Sequence, residues 1–175
     1  MAATVQISRY HGSGPTKVNS VTRADWLSLA PAGFTTGNED LRSTFPISKP
    51  SSGSVWSFDN WHKFECTALG GATTVGSLKY YSSGAPGTGW TLRTTANTTP
   101  ISPTYVAPDA NSKAGTTITT AMPTAEPGTY TIACIGPLET MNTATSSLYV
   151  ADQLECASTV TGGVSLTIQW KYTEA

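Results

Sequence analysis

Nine residues near the end of the chain, 164–172, restrict the possible folds more than any other feature. Val164, Leu166, Ile168, Trp170 and Tyr172 alternate without a break with Ser165, Thr167, Gln169 and Lys171. Successive side chains of a strand point to opposite faces, whereas a helix repeats its apolar positions every three to four residues. A period of two therefore specifies a β-strand with one buried face and one wet face, and the five apolar side chains are expected to face a core.

Composition extends this reading to the whole chain. Thirty Thr and nineteen Ser accompany 16 Gly and 11 Pro. Thr is stiff at χ1 and suits a pleated surface, while Gly and Pro punctuate, so strands and turns are favoured over long helices. The 175 residues fit one domain, which at this length buries roughly 70% of its unfolded surface without needing a staple. Charged residues make up only 12%, against about 25% in ordinary domains. The net charge is −1, and the ten Lys and Arg are scattered. Such a chain lacks the basic field that grips phosphates, so nucleic acid is not an expected partner. No stretch approaches the length of an apolar membrane span, and residues 1–6 lack the charged-then-apolar order of a signal peptide. The expectation is synthesis in the cytoplasm and no membrane partner.

Along the chain, Val5 and Ile7 alternate with polar neighbours before His11, Gly12, Ser13, Gly14 and Pro15 force a turn. This reads as one short edge strand in an extended N-terminal arm. Residues 16–60 carry the apolar anchors Trp26, Leu27 and Leu29 and are interrupted by Pro31, Pro46 and Pro50, which predicts extended chain with one helical turn near 23–29. Strands are predicted over 61–68, 77–81 and 90–94, with Phe64, Cys66 and Ala68, then Leu78 and Tyr80, then Trp90, Leu92 and Thr94 each sharing a face. The turn-rich linkers are 69–72 and 82–89. Residues 95–127 are dominated by Thr, Pro and Ala and hold one strand near 116–120; further strands follow over 128–135, 148–156 and 164–172. The expected fold is all-β, an antiparallel β-sandwich of jelly-roll or immunoglobulin-like outline with an extended N-terminal arm. Residues 1–53 form the arm and an irregular extended segment, and 54–175 form the sandwich core of a single domain. The arm and segment 95–127 are expected to make intersubunit contacts.

Candidate chemistry is sparse. A hydrolytic triad needs a base, and only His11 and His62 are available, neither beside a nucleophile signature. His62 is expected at the surface. Asp25, Glu39, Asp40 and Asp59 show no ligand spacing relative to the two histidines, so no metal is assigned. Glu39 and Asp40 are adjacent and would point apart on an extended chain, which suits a solvated loop better than paired acid–base work. The glycine-rich run 84–89 lacks the Lys-Ser/Thr ending of a phosphate loop and reads as a hairpin connection. Cys66, Cys134 and Cys156 have no metal-type spacing. They are either small buried core thiols or, being odd in number, a source of one bridge to a neighbouring subunit. An antibody-type bridge between Cys66 and Cys134 lacks its companions: no Trp follows Cys66 at the required distance, and Ile132 stands where the corner Tyr belongs. Trp90 and Trp170 are expected in the core, while Trp26, Trp56 and Trp61 are open to stacking on sugar rings. The sequon at Asn97 is what chance gives in a Thr-rich chain. No catalytic, cofactor-binding or metal-ligating residue is assigned, and no cofactor is expected.

The segments 7–16, 78–81 with 87–92, and 153–155 with 167–172 carry a resemblance. In them Ile7-Ser8-Arg9-Tyr10, Leu78-Lys79-Tyr80-Tyr81, Gly89-Trp90-Thr91-Leu92 and Ile168-Gln169-Trp170-Lys171-Tyr172 stand out. The chain resembles a loosely defined family of small structural proteins of tailed bacteriophages. The resemblance implies a virion component and no enzyme: a capsid decoration or cement protein, or alternatively a tail or neck component or a carbohydrate- or receptor-binding module of a tail fibre. It also implies other virion proteins as partners, the major capsid protein or tail proteins, together with self-association. Residues 95–127 lie outside the resemblance.

Overall fold

The computed structural model describes residues 1–11, 16–20, 46–57, 60–95, 118, 120–129 and 140–175. Among these there is no helix, and the strands form two antiparallel sheets. The larger runs in the order β2 (Thr16–Ser20), β1 (Thr4–His11), β4 (Asn60–Ala68), β9 (Val150–Ala157) and β3 (Ser54–Trp56); β6 (Trp90–Thr94) also pairs with β9, and β8 (Thr145–Ser146) with β4. The smaller has the order β10 (Ile168–Glu174), β5 (Val75–Ser82) and β7 (Thr140–Met141).

The inward faces of the two sheets share one apolar cluster. Phe64, Cys66, Leu92, Val150 and Leu154 come from the larger sheet, and Val75, Leu78, Tyr80 and Met141 from the smaller. Aromatic rings join them: Phe64 lies 5.1 Å from Tyr172 and 6.0 Å from Trp170, and Tyr80 lies 4.6 Å from Trp170. Burying each such large side chain contributes about 1.5–3 kcal/mol. The expected shared faces are present for Leu78 and Tyr80 on β5, for Trp90 and Leu92 on β6 and for Phe64 and Cys66 on β4, whereas Ala68, expected on the same face, is exposed beyond the register shift at Thr4/Val5.

On β5 the period of two is interrupted. Lys171 pairs with Lys79 but Thr173 pairs with Gly76, so Ser77 and Leu78 together oppose Tyr172. Ser77 takes a positive φ of 51° at this bulge. The extra residue turns the register, and Val75 and Leu78, three apart, both reach the core. On β10 the ladder begins at Ile168, later than the predicted start at 164, and runs on to Glu174. Val164, Leu166, Ile168, Trp170 and Tyr172 all pack against the core, as the alternation predicts, but only half-buried. The reason is position, since β10 is the outer strand of its sheet.

Two expectations are corrected. The N-terminal strand, expected at an edge, is interior: β1 pairs with β2 on one side and along residues 4–10 with β4 on the other. Run 84–89, expected as a hairpin, carries the chain from β5 in the smaller sheet to β6 in the larger. Turn residues mark a reversal without naming the strand beyond it. Gly89 is needed there, because at φ 80° a Cβ would stand 2.5 Å from the Val160 backbone. The predicted helical turn near 23–29 lies outside the described residues, as do most of the predicted strands near 116–120 and over 128–135.

Residues 120–126 stitch the sheets together. Met122 N–H donates to Leu92 C=O and Thr94 N–H to Thr120 C=O, both at 2.9 Å. A few residues on, Ser82 N–H donates to Pro123 C=O at 2.9 Å and Gly84 N–H to Thr124 C=O at 3.0 Å. Glu126 then bridges Lys79 at 2.8 Å and Lys171 at 2.6 Å, directly opposed on β5 and β10.

A chain lacking residues 1–14 loses the strand beside β4, so circular dichroism and size exclusion should show an unfolded or aggregated product. A truncated protein that melts cooperatively at the parent temperature would show β1 to be dispensable. Gly89→Ala should cost at least about 1 kcal/mol in urea unfolding, because the native φ is incompatible with a side chain.

Candidate functional site

The densest polar constellation among the described residues lies on the face of the larger sheet turned away from the shared core. On β1, Val5 and Ile7 turn to the core, which leaves Gln6, Ser8 and Tyr10 on the other face. All three reach Glu65 of β4. Gln6 Nε2 donates to Oε2 at 2.6 Å, Ser8 Oγ to Oε2 at 2.8 Å and Tyr10 OH to Oε1 at 2.6 Å. Lys17 Nζ, from β2, completes the set at 2.5 Å from Oε2. Burial by itself would raise the Glu65 pKa, but the four donors outweigh it and hold the carboxyl at about 2. Burial and the bond to Glu65 push the Tyr10 phenol well up. Glu65 therefore stays ionised at ordinary pH, its charge paired with Lys17 and every donor drawn from another strand.

Beside it, Lys63 meets rings. Its Nζ lies 4.1 Å from the Tyr149 centroid and 5.8 Å from that of Tyr10. The two tyrosines stand edge to face at 5.1 Å, and Trp61 closes on Tyr149 at 6.0 Å. Further along the same sheet, Arg93 pairs with Glu155 at 2.6 Å and lies over Trp56 at 5.8 Å.

The opposite face of β4 and β9 holds a second, fully buried group. Asp152 is 1% exposed and accepts a hydrogen bond of 2.9 Å from Tyr80 OH, across from the smaller sheet. His62 Nδ1 lies 3.1 Å from the same oxygen without forming a hydrogen bond to it. Arg9 donates to Asn60 Oδ1 close by on the paired strands. Burial raises the Tyr80 phenol well above its ordinary range, reinforced by Asp152. Gln153 is equally enclosed, accepting from Ile118 N–H and donating to Ser57 C=O.

The residues weighed from sequence fare differently. His62, expected at the surface, is only 7% exposed, because both faces of β4 are covered at that point. Trp61, held open for sugar stacking, is buried as well. Trp56 is half-buried beneath Arg93, and Trp90 and Trp170 pack on the core as expected. Cys66 and Cys156 are buried free thiols, which burial pushes up in pKa. Asp25, Trp26, Glu39, Asp40, Asp59, Asn97 and Cys134 lie outside the described residues, as does the side chain of His11. Glu65 and Asp152 carry no local sequence pattern that marks them as polar centres. The alternation of Gln6, Ser8 and Tyr10 is the one sequence sign of a polar face on β1, but their acceptor is more than fifty residues away.

Chemically, these arrangements tie strands together. Glu65 is a carboxylate saturated with donors, and Asp152 is buried between the two sheets. A general acid or base works best when its pKa is near the operating pH and it reaches a substrate. Comparison with known protein families, curated proteins and solved structures gives no match.

The hub also sets a pH dependence. Glu65 falls from 4.5 to about 2 on folding, a gap of roughly 3 kcal/mol in favour of the folded state. A depressed carboxyl stabilises fully above its unfolded pKa, and the contribution is lost as pH falls from 4.5 through about 2. Glu65→Gln should therefore lower stability at pH 6 by a few kcal/mol and flatten the acid limb of the stability curve. Urea midpoints at pH 6 and pH 3 measure both effects, and equal pH slopes in variant and parent would refute the assignment.

Proposed function

We propose that this chain is a structural subunit of a tailed-phage particle, built as an antiparallel β-sandwich of jelly-roll or immunoglobulin-like outline. In this reading it is a capsid decoration or cement protein that binds the head lattice, made in the host cytoplasm and carried in the virion. A tail or neck position is the alternative within the same class.

The observation that carries this reading is where the charge goes. Glu65, Asp152, Glu126 and Glu155 each contact side chains on other strands. Carboxylates placed so are spent on holding strands in register. That suits a subunit whose work is to keep its shape. A net charge of −1 also limits repulsion between copies packed on a symmetric lattice. The segments that carry the phage resemblance fall largely on β1, β5, β6, β9 and β10, so the likeness concerns the scaffold and supports a shared architecture. The reading brings the major capsid protein as partner, together with self-association.

The test is reconstitution. Heads purified from particles lacking this protein should bind it to saturation at a fixed number of copies per lattice unit and release their DNA at a higher temperature afterwards. Heads that bind none at saturating concentration would refute the decoration reading. Recovery with the tail fraction alone would favour the alternative.

A further inference from the structure

Two tyrosines meet on the outer face of the larger sheet, brought there by strands that both pair with β4. Tyr10 lies opposite Trp61 near the end of β1, and Tyr149 immediately precedes β9, whose Val150 lies opposite His62. Their rings stand edge to face with centroids 5.1 Å apart, and both side chains are half-buried, so each keeps part of its surface in solvent. The other described tyrosines are engaged differently: Tyr80 meets Trp170, Tyr172 meets Phe64, and Tyr81 OH donates to Gln169 Oε1. Tyr10 is also joined to a base, since its OH donates to the Glu65 carboxylate at 2.6 Å.

We infer that Tyr10 and Tyr149 form an oxidative cross-linking site, a pair that a one-electron oxidant joins into dityrosine. A phenol gives up an electron far more readily when its proton can leave at the same time, and the charge-assisted hydrogen bond to Glu65 holds that exit in place for Tyr10. The product of this paired loss is a neutral phenoxyl radical. Neutrality matters here, because Lys63 Nζ stands 4.1 Å from the Tyr149 centroid and 5.8 Å from that of Tyr10 and opposes a positive charge on either ring. The oxidant needs no site of its own, since an electron crosses the short distance from a half-exposed ring without bonded contact. In the reaction each phenol loses one electron to the oxidant and one proton, Tyr10 by way of Glu65 and Tyr149 to solvent. The two radicals couple through ring carbons ortho to oxygen, forming one C–C bond, and the hydrogen on each of those carbons moves to its phenol oxygen as aromaticity returns. Two electrons and two protons are lost in all, and two equivalents of a one-electron oxidant are reduced. The new bond ties β1 to the start of β9 across β4 and closes a covalent loop over residues 10–149, and a long closed loop raises stability by restricting the unfolded chain. The inference concerns a ring contact within one chain and does not depend on a virion role.

The experiment uses the full folded chain at low concentration, with photogenerated tris(bipyridine)ruthenium(III) as the oxidant and persulfate as the terminal electron acceptor, at limiting exposure. Peptide mass spectrometry is expected to find the 10–149 linkage several-fold more often than any other tyrosine pair, in protein that still runs as a monomer on a denaturing gel. The same exposure in urea should abolish that preference, which separates a contact of the fold from a chance meeting of reactive rings. Tyr149→Phe keeps a ring beside Tyr10 but should remove the linkage. A 10–149 linkage no more frequent than the others in the folded chain, or equally frequent in urea, would overturn the inference. Both of these readings come from the parent protein, so neither depends on a variant that folds.

Discussion

β4 has a strand on each side, and for most of its length its side chains are covered on both faces. Its charged groups must then be satisfied by protein, since unpaired buried charge is far more costly than a lost surface contact, although Asn60 Nδ2 and His62 Nδ1 are buried without a hydrogen bond. The two faces meet this demand differently. Toward the smaller sheet, Phe64 and Cys66 are apolar and His62 is placed against Asp152. Toward the other side, Glu65 collects four donors from β1 and β2, and Lys63 is received by aromatic rings. The neighbours of β4 are chosen by these needs. β1 supplies Gln6, Ser8 and Tyr10 outward while sending Val5 and Ile7 into the core, a division of labour that only the alternation of a strand provides.

The same logic relates the two sheets. Their shared core is apolar, with Tyr80 OH on Asp152 reaching across it from the smaller sheet. A hydrogen bond to a buried carboxylate is directional where apolar packing is not. It fixes how β5 lies over β9, and the bulge at Ser77 then allows Val75 and Leu78 to fill the core from a strand whose ideal pleat would turn one of them outward.

Much of this was legible in the residues. The alternations at Phe64 and Cys66, Leu78 and Tyr80, Trp90 and Leu92, and Ile168 to Tyr172 each identified a strand and its core face, because side-chain direction in a strand is a local property. Pairing is not local. Nothing in the segment 4–10 announces that its partner is β4, and nothing in the run 84–89 distinguishes a hairpin from a passage between sheets. The bulge was invisible because it shifts the period by one residue. Glu65 was hidden for a different reason: a carboxylate beside a lysine in a strand looks solvated until the donors of two other strands are known. The burial of His62 is hidden on the same ground, since a second covering layer leaves no mark on the strand it covers.

The short segment 120–126 has a consequence for how the molecule comes apart. Within a few residues it is hydrogen-bonded to β6 in one sheet and to the end of β5 in the other, and its Glu126 grips β5 and β10 together. Sliding one sheet over the other would stretch this brace along its own backbone, the stiffest direction a peptide has. The described sheets are thus braced against shear, and they yield as one mechanical unit or not at all.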